Sequence, residues 1–323
     1  MRYFLFITLT LTASFSFIAL KLNSNFSLDK DILIYIEPGK SSNDIALNLE
    51  EKNLINHPFF LVQYLRLIGK LNSVKSGEYS ISNDEDLIDL VSKITEGKYY
   101  YRKIQLLEGM RFTEIMELIK KTEGLILNLG KYPEKKILLD LNLTYISPEG
   151  IFAPETYFFK KGDTVSNLLE RSYKAQQAYS LNLWSKRQPN LPFKNLYEAL
   201  ILASIIEKEG KEKKEIAGVF INRLNRNMKL QSDPTVIYAL GKTFDGNIRR
   251  KDLRIKNPYN TYVYKGLPPG PISLVTMSSI EAVLNPVLSD NLYFVSRGNG
   301  THKFSVTLRE HNRAVRKYQL LKQ

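Results

Sequence analysis

The hydrophobic and polar positions divide the chain into three stretches of different character. Residues 3–20 carry no charge and are bracketed by Arg2 and Lys21. At about 1.5 Å per residue such a run covers about 27 Å, enough to cross the hydrocarbon core of a bilayer. It has no polar face, so a buried core helix is a poor reading. A cleaved export signal would need small residues at a fixed spacing after the run, and Lys21-Leu22-Asn23-Ser24-Asn25 offers a poor site. Residues 1–22 are therefore expected to be a retained transmembrane helix. It would anchor the protein by a single pass in the cell (inner) membrane, with the rest of the chain on the periplasmic or extracytoplasmic side.

Residues 30–100 read as a small α+β module. Ile32–Ile36 has strand character and stops at Pro38-Gly39. Ser41 or Ser42 can cap a helix with Ile45, Ala46 and Leu49 on one face. A second helix follows Pro58, Gly77–Ile81 turns into a short strand, and Asn83 or Asp84 caps a third helix ended by Gly97. The order strand, glycine, helix returns at Ile104, Glu108, Gly109, Ile115 and Ile119. Two βα units that each need a positive φ at glycine would give this echo, and so would chance. Residues 101–323 read as a larger mixed α/β domain. Its irregular stretches at 148–159, 230–238, 257–271 and 297–304 are rich in Pro, Gly, Tyr and Asn. Long irregular segments inside a folded domain usually carry function.

Within this second domain, Leu196–Glu209 is apolar around most of its circumference and should be a buried helix. Glu207 lies seven, four and three positions beyond Leu200, Ala203 and Ser204, so these residues stack on one face. Glu207 is the first carboxylate on that stripe, while Lys208 and Glu209 are expected to turn toward solvent. Burial disfavours a charged carboxylate, so the pKa of Glu207 should rise, and a Glu that keeps its proton near neutral pH can act as a general acid. From spacing alone, an ion pair between Glu207 and a nearby lysine is the stronger reading.

Charge and rare residues narrow the chemistry. A net charge of +13 attracts polyanions of any kind. There is no run of five basic residues, no zinc-ligand spacing and no aromatic–glycine RNA motif, so nucleic acid is not an expected partner. Cysteine is absent, which excludes disulfides and thiolate-bound metals. His57, His302 and His311 are scattered, without a His-x-x-x-His pair. Neither a metal nor a cofactor is expected.

Several long motifs then occur in one order. They are Glu149-Gly150-x-Phe152-x-Pro154-x-Thr156-Tyr157, Leu202-Ala203-Ser204-Ile205-Ile206-Glu207-Lys208-Glu209 and Val219-Phe220-Ile221-Asn222-Arg223-Leu224. Leu230-Gln231-Ser232-Asp233-Pro234-Thr235, Asn257-Pro258-Tyr259-Asn260-Thr261-Tyr262, Gly266-Leu267-Pro268-Pro269-Gly270 and Gly300-Thr301-His302-Lys303-Phe304 follow. From about residue 30 to the C-terminus the chain resembles the endolytic murein transglycosylase (YceG-like) family. Gly210 departs from the pattern, where a residue such as Thr is frequent, and Leu107-Glu108-Gly109 replaces a Pro-Glu-Gly turn.

The resemblance implies a membrane anchor, a LysM-like module at 30–100 and a catalytic domain at 101–323. It implies a lytic transglycosylase that cuts the β-1,4 bond between N-acetylmuramic acid and N-acetylglucosamine inside peptidoglycan strands. The product would carry a 1,6-anhydromuramic end, and nascent strands would be terminated beside peptidoglycan synthases. Glu207 matches the family's acid and base. It would protonate the leaving oxygen and then take the proton of the sugar's C6 hydroxyl, a tethered nucleophile that needs no second carboxylate. Gln231, Asp233, Tyr259, Asn260 and Thr261 could bond sugar hydroxyls, Tyr157 and Tyr262 could lie against sugar faces, and His302 could join the site. Taken singly, each of the loop residues is better explained by turn and capping chemistry, and a hydrogen-bonded structural role fits His302 equally well. Two alternatives remain: a hydrolase that uses water, with Asp233 or Glu155 as a second carboxylate, and a membrane-tethered wall-binding scaffold without catalysis.

Overall fold

The computed structural model describes Phe26 and residues 28–320, so the anchor expected at 1–22 lies outside the described residues. Among the described residues no helix is long and apolar enough to cross a membrane. The chain forms two compact units. The first runs to Arg102 and includes Phe158–Gly162; the second comprises Lys103–Tyr157 and the chain from Asp163 onward.

In the first unit, β1 (Ile32–Ile36) pairs antiparallel with β2 (Gly77–Ile81), placing Ile34 opposite Tyr79. Helices α1 (Ser42–Glu51) and α2 (Pro58–Leu67) lie between them in sequence, and α3 (Leu87–Glu96) follows. Ser41 caps α1: its Oγ accepts the Asp44 N–H at 3.2 Å, and the Asp44 carboxylate accepts the Ser41 N–H at 3.0 Å. α3 begins later than expected. Asp84 is taken by the Ser82 hydroxyl, and Asp86 forms the reciprocal box with Asp89 instead. The side chains of Ile34, Leu49, Leu61, Leu65, Tyr79, Leu90 and Ile94 make the core. Glu78 of β2, almost fully buried, takes a two-pronged bond from Arg102 at 2.8 and 3.0 Å.

The second unit is mainly helical. β3 (Arg102–Gln105) and β4 (Thr156–Phe159), whose residues Arg102, Phe158 and Phe159 count with the first unit, form one short sheet, and α4 (Phe112–Lys121), α5 (Pro133–Asp140) and α6 (Val165–Ser185) surround them in sequence. α7 (Leu196–Glu209) is the central helix, and every residue from Ala199 to Ile206 is buried. It packs on α8 (Lys213–Asn225) and α10 (Met277–Leu284), and more lightly on α9 (Asp233–Leu240). An all-round apolar helix can only sit this way, since no face of it tolerates water. An antiparallel pair, β5 (Tyr293–Ser296) and β6 (His302–Ser305), and the helix α11 (Leu308–Val315) complete the unit. Gly39 and Gly109, the two glycines of the internal echo, both adopt the left-handed conformation, with φ of 81° and 74°.

Candidate active site

The last turn of α7 carries three charged side chains in succession, and the structure sends them to three different places. Glu207 is turned inward, its side chain 5% exposed, and its Oε1 lies 2.9 Å from Lys213 Nζ. Its Oε2 accepts the Thr276 N–H at 2.9 Å, the Thr276 hydroxyl at 2.6 Å and the Ser279 hydroxyl at 2.7 Å. Burial pushes its pKa up, but the Lys213 ammonium and the Ser279 and Thr276 donors together outweigh that, and the pKa is lowered. The raised pKa expected for Glu207 is thereby corrected: its stripe leads into a polar pocket that satisfies the anion. Lys208 reaches the turn at Gly109, whose carbonyl accepts from Nζ at 3.2 Å.

Glu209, expected to face solvent, instead lines a groove of about 530 Å³. It is half-buried, and Ser232 Oγ donates to its Oε1 at 2.5 Å. Burial pushes its pKa up to about 7; the Ser232 bond opposes this, the charge of Asp233 adds to it, and Arg223 opposes it again. Glu207 is not among the residues that line this groove. The like charge of Asp233 therefore acts on Glu209.

Gln231, Asp233, Tyr262 and His302 line the same groove, so the structure brings together four residues singled out in the sequence. Gln231 adopts a left-handed backbone with φ of 52°, and its N–H bonds the Thr261 carbonyl at 3.2 Å. Asp233 accepts the Tyr262 hydroxyl at 2.6 Å. His302 Nδ1 lies 2.8 Å from Glu212.

Other sequence candidates act behind the wall. Asn260 is fully buried; its amide donates to the Leu253 and Ile255 carbonyls and its oxygen accepts the Tyr262 N–H. Thr261 is buried and accepts the Ser232 N–H at 3.0 Å. These two shape the loops that carry Asp233, Ser232 and Tyr262, and they have no free group for a sugar. Tyr259 packs on Tyr238 with ring centroids 4.7 Å apart, away from the groove. Tyr157 is buried and donates its hydroxyl to the Ala153 carbonyl at 2.9 Å, so it forms no sugar platform.

Glu209 and Arg223 line the groove and Ser232 bonds Glu209, and periodicity selected none of the three. Arg223 is buried, with Nε donating to the Leu292 carbonyl at 2.7 Å and Nη1 to the Leu230 carbonyl at 2.6 Å. All three sat inside the motifs that carried the resemblance, which was the one available signal. Glu149 also has a pKa raised to about 7 by burial, but its oxygens are taken by the Phe112 N–H and the Tyr238 hydroxyl. It faces no groove-lining residue and is a structural cap.

A groove wall with one elevated carboxyl group, an anion and a cation beside it suits proton transfer to a sugar oxygen. Residues 34–317 match the model of the YceG-like family. A Bacillus subtilis (strain 168) protein named endolytic murein transglycosylase is 34% identical over 313 residues, covering 88% of this chain and 84% of that one. A Streptococcus pneumoniae R6 protein of the same name is 28% identical, and the match spans 83% of this chain but only 54% of that longer protein. The crystal structure of a yceG-like protein from Listeria monocytogenes superposes with a TM-score of 0.56 at 32% identity, covering 88% of this chain and 99% of that one. With its family model matched along nearly the whole described chain and a relative aligned over most of both lengths, this protein belongs to the YceG-like family.

Proposed function

We propose that the chain is a peptidoglycan lytic transglycosylase that cuts within glycan strands, and that Glu209 rather than Glu207 is its acid. The observation that carries the assignment is the carboxyl group of Glu209 on the groove, with its pKa pushed up to about 7. With a pKa of about 7, about half of the Glu209 carboxyls keep their proton at pH 7, and that proton goes to the bridging oxygen as the bond to C1 of N-acetylmuramic acid breaks. The C6 hydroxyl of that same sugar closes on C1. Its tether replaces the ordered water that a hydrolase would need, and intramolecular attack carries a high effective molarity.

Asp233 on the same groove gives the hydrolase reading its foothold, since a second carboxylate could activate water. Mass spectrometry of uncross-linked glycan strands digested by the full chain separates the two. Transglycosylation gives 1,6-anhydromuramic ends; predominantly reducing ends would overturn it. The rate should also fall as pH rises through about 7, because the acid must start protonated. Initial rates of end formation across pH 5 to 9 check this, and a level profile speaks against Glu209.

The remaining parts of the reading follow the family likeness. Residues 1–22 are proposed as a membrane anchor that holds the catalytic unit on the extracytoplasmic side. The order β1, α1, α2, β2 with an antiparallel strand pair supports a LysM-like identity for the first unit. An enzyme tethered there would meet nascent strands as synthases release them.

A further inference from the structure

We propose that His302, oriented by Glu212, is the base that takes the proton from the attacking C6 hydroxyl; this rests on the transglycosylase reading of the groove. Glu212 Oε2 accepts two bonds from the same residue, the His302 backbone N–H at 2.6 Å and the ring Nδ1 at 2.8 Å. A carboxylate oxygen can only accept, so Nδ1 carries the hydrogen, and in the neutral ring the lone pair sits on Nε2. Among the described residues, hydrogen bonding of the ring is confined to Nδ1. The side chain is 11% exposed, and what is exposed opens on the groove that holds Glu209.

The two groups are also joined through the chain. The His302 ring lies against Gly210, the residue after Glu209, with Cε1 3.0 Å from where a Cβ would stand. The missing side chain at Gly210 leaves room for the ring. Phe294 and Phe304 flank the ring at centroid distances of 5.4 and 6.2 Å, which with the double bond to Glu212 fixes its plane. A held imidazole with one open nitrogen, backed by a carboxylate, is the arrangement general bases use.

The step balances. The Glu209 proton goes to O4 as the C1–O4 bond breaks, O6 bonds C1, and the O6 proton moves to His302 Nε2. Glu209 is left as carboxylate and His302 as imidazolium beside Glu212, and solvent returns the proton from His302 to Glu209 before the next turnover. No water is consumed.

His302→Asn tests the assignment in the full chain, since the Asn amide can still donate to Glu212 but presents no acceptor where Nε2 stood. With uncross-linked glycan strands we expect kcat to fall about 10²–10³-fold with KM changed less than about threefold, in the range general bases supply. Reducing ends should appear among the products, because water competes once O6 is no longer activated. A merely structural role would move KM and melting temperature and leave the product ratio alone. Wild-type kcat with only anhydro ends would overturn the proposal. Glu212→Gln gives a second reading that does not depend on that variant's folding: a lowered kcat with reducing ends supports the pair, and wild-type behaviour removes it. If Glu209→Gln is inactive while His302→Asn is fully active, only the His302 assignment falls. If Glu209→Gln cleaves normally, the underlying reading of the groove falls with it.

Discussion

Glu209→Gln is expected to lower strand cleavage by about 10³-fold while making the folded chain more stable above pH 7. Both effects come from the same burial. The amide fills the volume of the carboxyl group and can still accept from Ser232, but it has no proton to give. The stability gain follows from linkage. Glu209 has a folded pKa of about 7 against an ordinary 4.5, so the folded state holds the proton more tightly than the unfolded chain does. Its contribution is fully present below pH 4.5, is lost as pH rises toward 7, and leaves the charged group as a burden above that. An uncharged amide escapes the burden. Urea melts of the two proteins at pH 8, set beside their cleavage rates, read both effects from one pair of samples. Lost activity in a variant that melts later cannot be blamed on unfolding. It would also exclude the scaffold reading for the cleavage itself, whereas retained cleavage would place the acid elsewhere.

Much of the frame was legible from pattern alone. The extent of α7, Leu196–Glu209, follows from its apolar positions, and β1, β2 and α1 follow from theirs. The loop composition around Gln231 and Asp233 sets these residues apart in the sequence, and both line the groove. What the pattern could not decide was which of two glutamates, two residues apart, lines the groove. Periodicity reports which side of a helix is apolar. It does not report what stands opposite the helix end, and the donors that capture Glu207, Thr276 and Ser279, lie 69 and 72 residues further on. Asn260 and Thr261 misled for a related reason. Polar residues in a proline-rich loop can face a ligand or close the loop on itself, and here their partners are backbone groups of neighbouring turns and, for Thr261, the Thr235 hydroxyl. Tyr157 looked like a sugar platform, yet β4 alternates and turns it into the core.

Glu207→Ala should produce the opposite profile to Glu209→Gln: a protein destabilised by about 3 kcal/mol, the lower end of the range for breaking a buried ion pair. Lys213 would be left 20% exposed with its carboxylate gone, and Thr276 and Ser279 would lose the acceptor that ties α10 to the end of α7. The sign of the pH dependence is also reversed. The Glu207 pKa is lowered from 4.5, so its stabilisation is present above pH 4.5 and lost as pH falls through the lower folded value. Wild type and Glu207→Ala should therefore differ most in melting temperature at neutral pH and converge in acid. The carboxylate that binds its neighbours most strongly is thus the one least able to deliver a proton. Its bonds to Lys213, Thr276 and Ser279 tie the end of α7 to α8 and α10. Measured at a temperature where Glu207→Ala is still folded, residual cleavage should stay within about tenfold of wild type, because what has been removed is a positioning contact rather than the proton donor. A loss as deep as that of Glu209→Gln under those conditions would return the acid to Glu207 and make Glu209 the bystander.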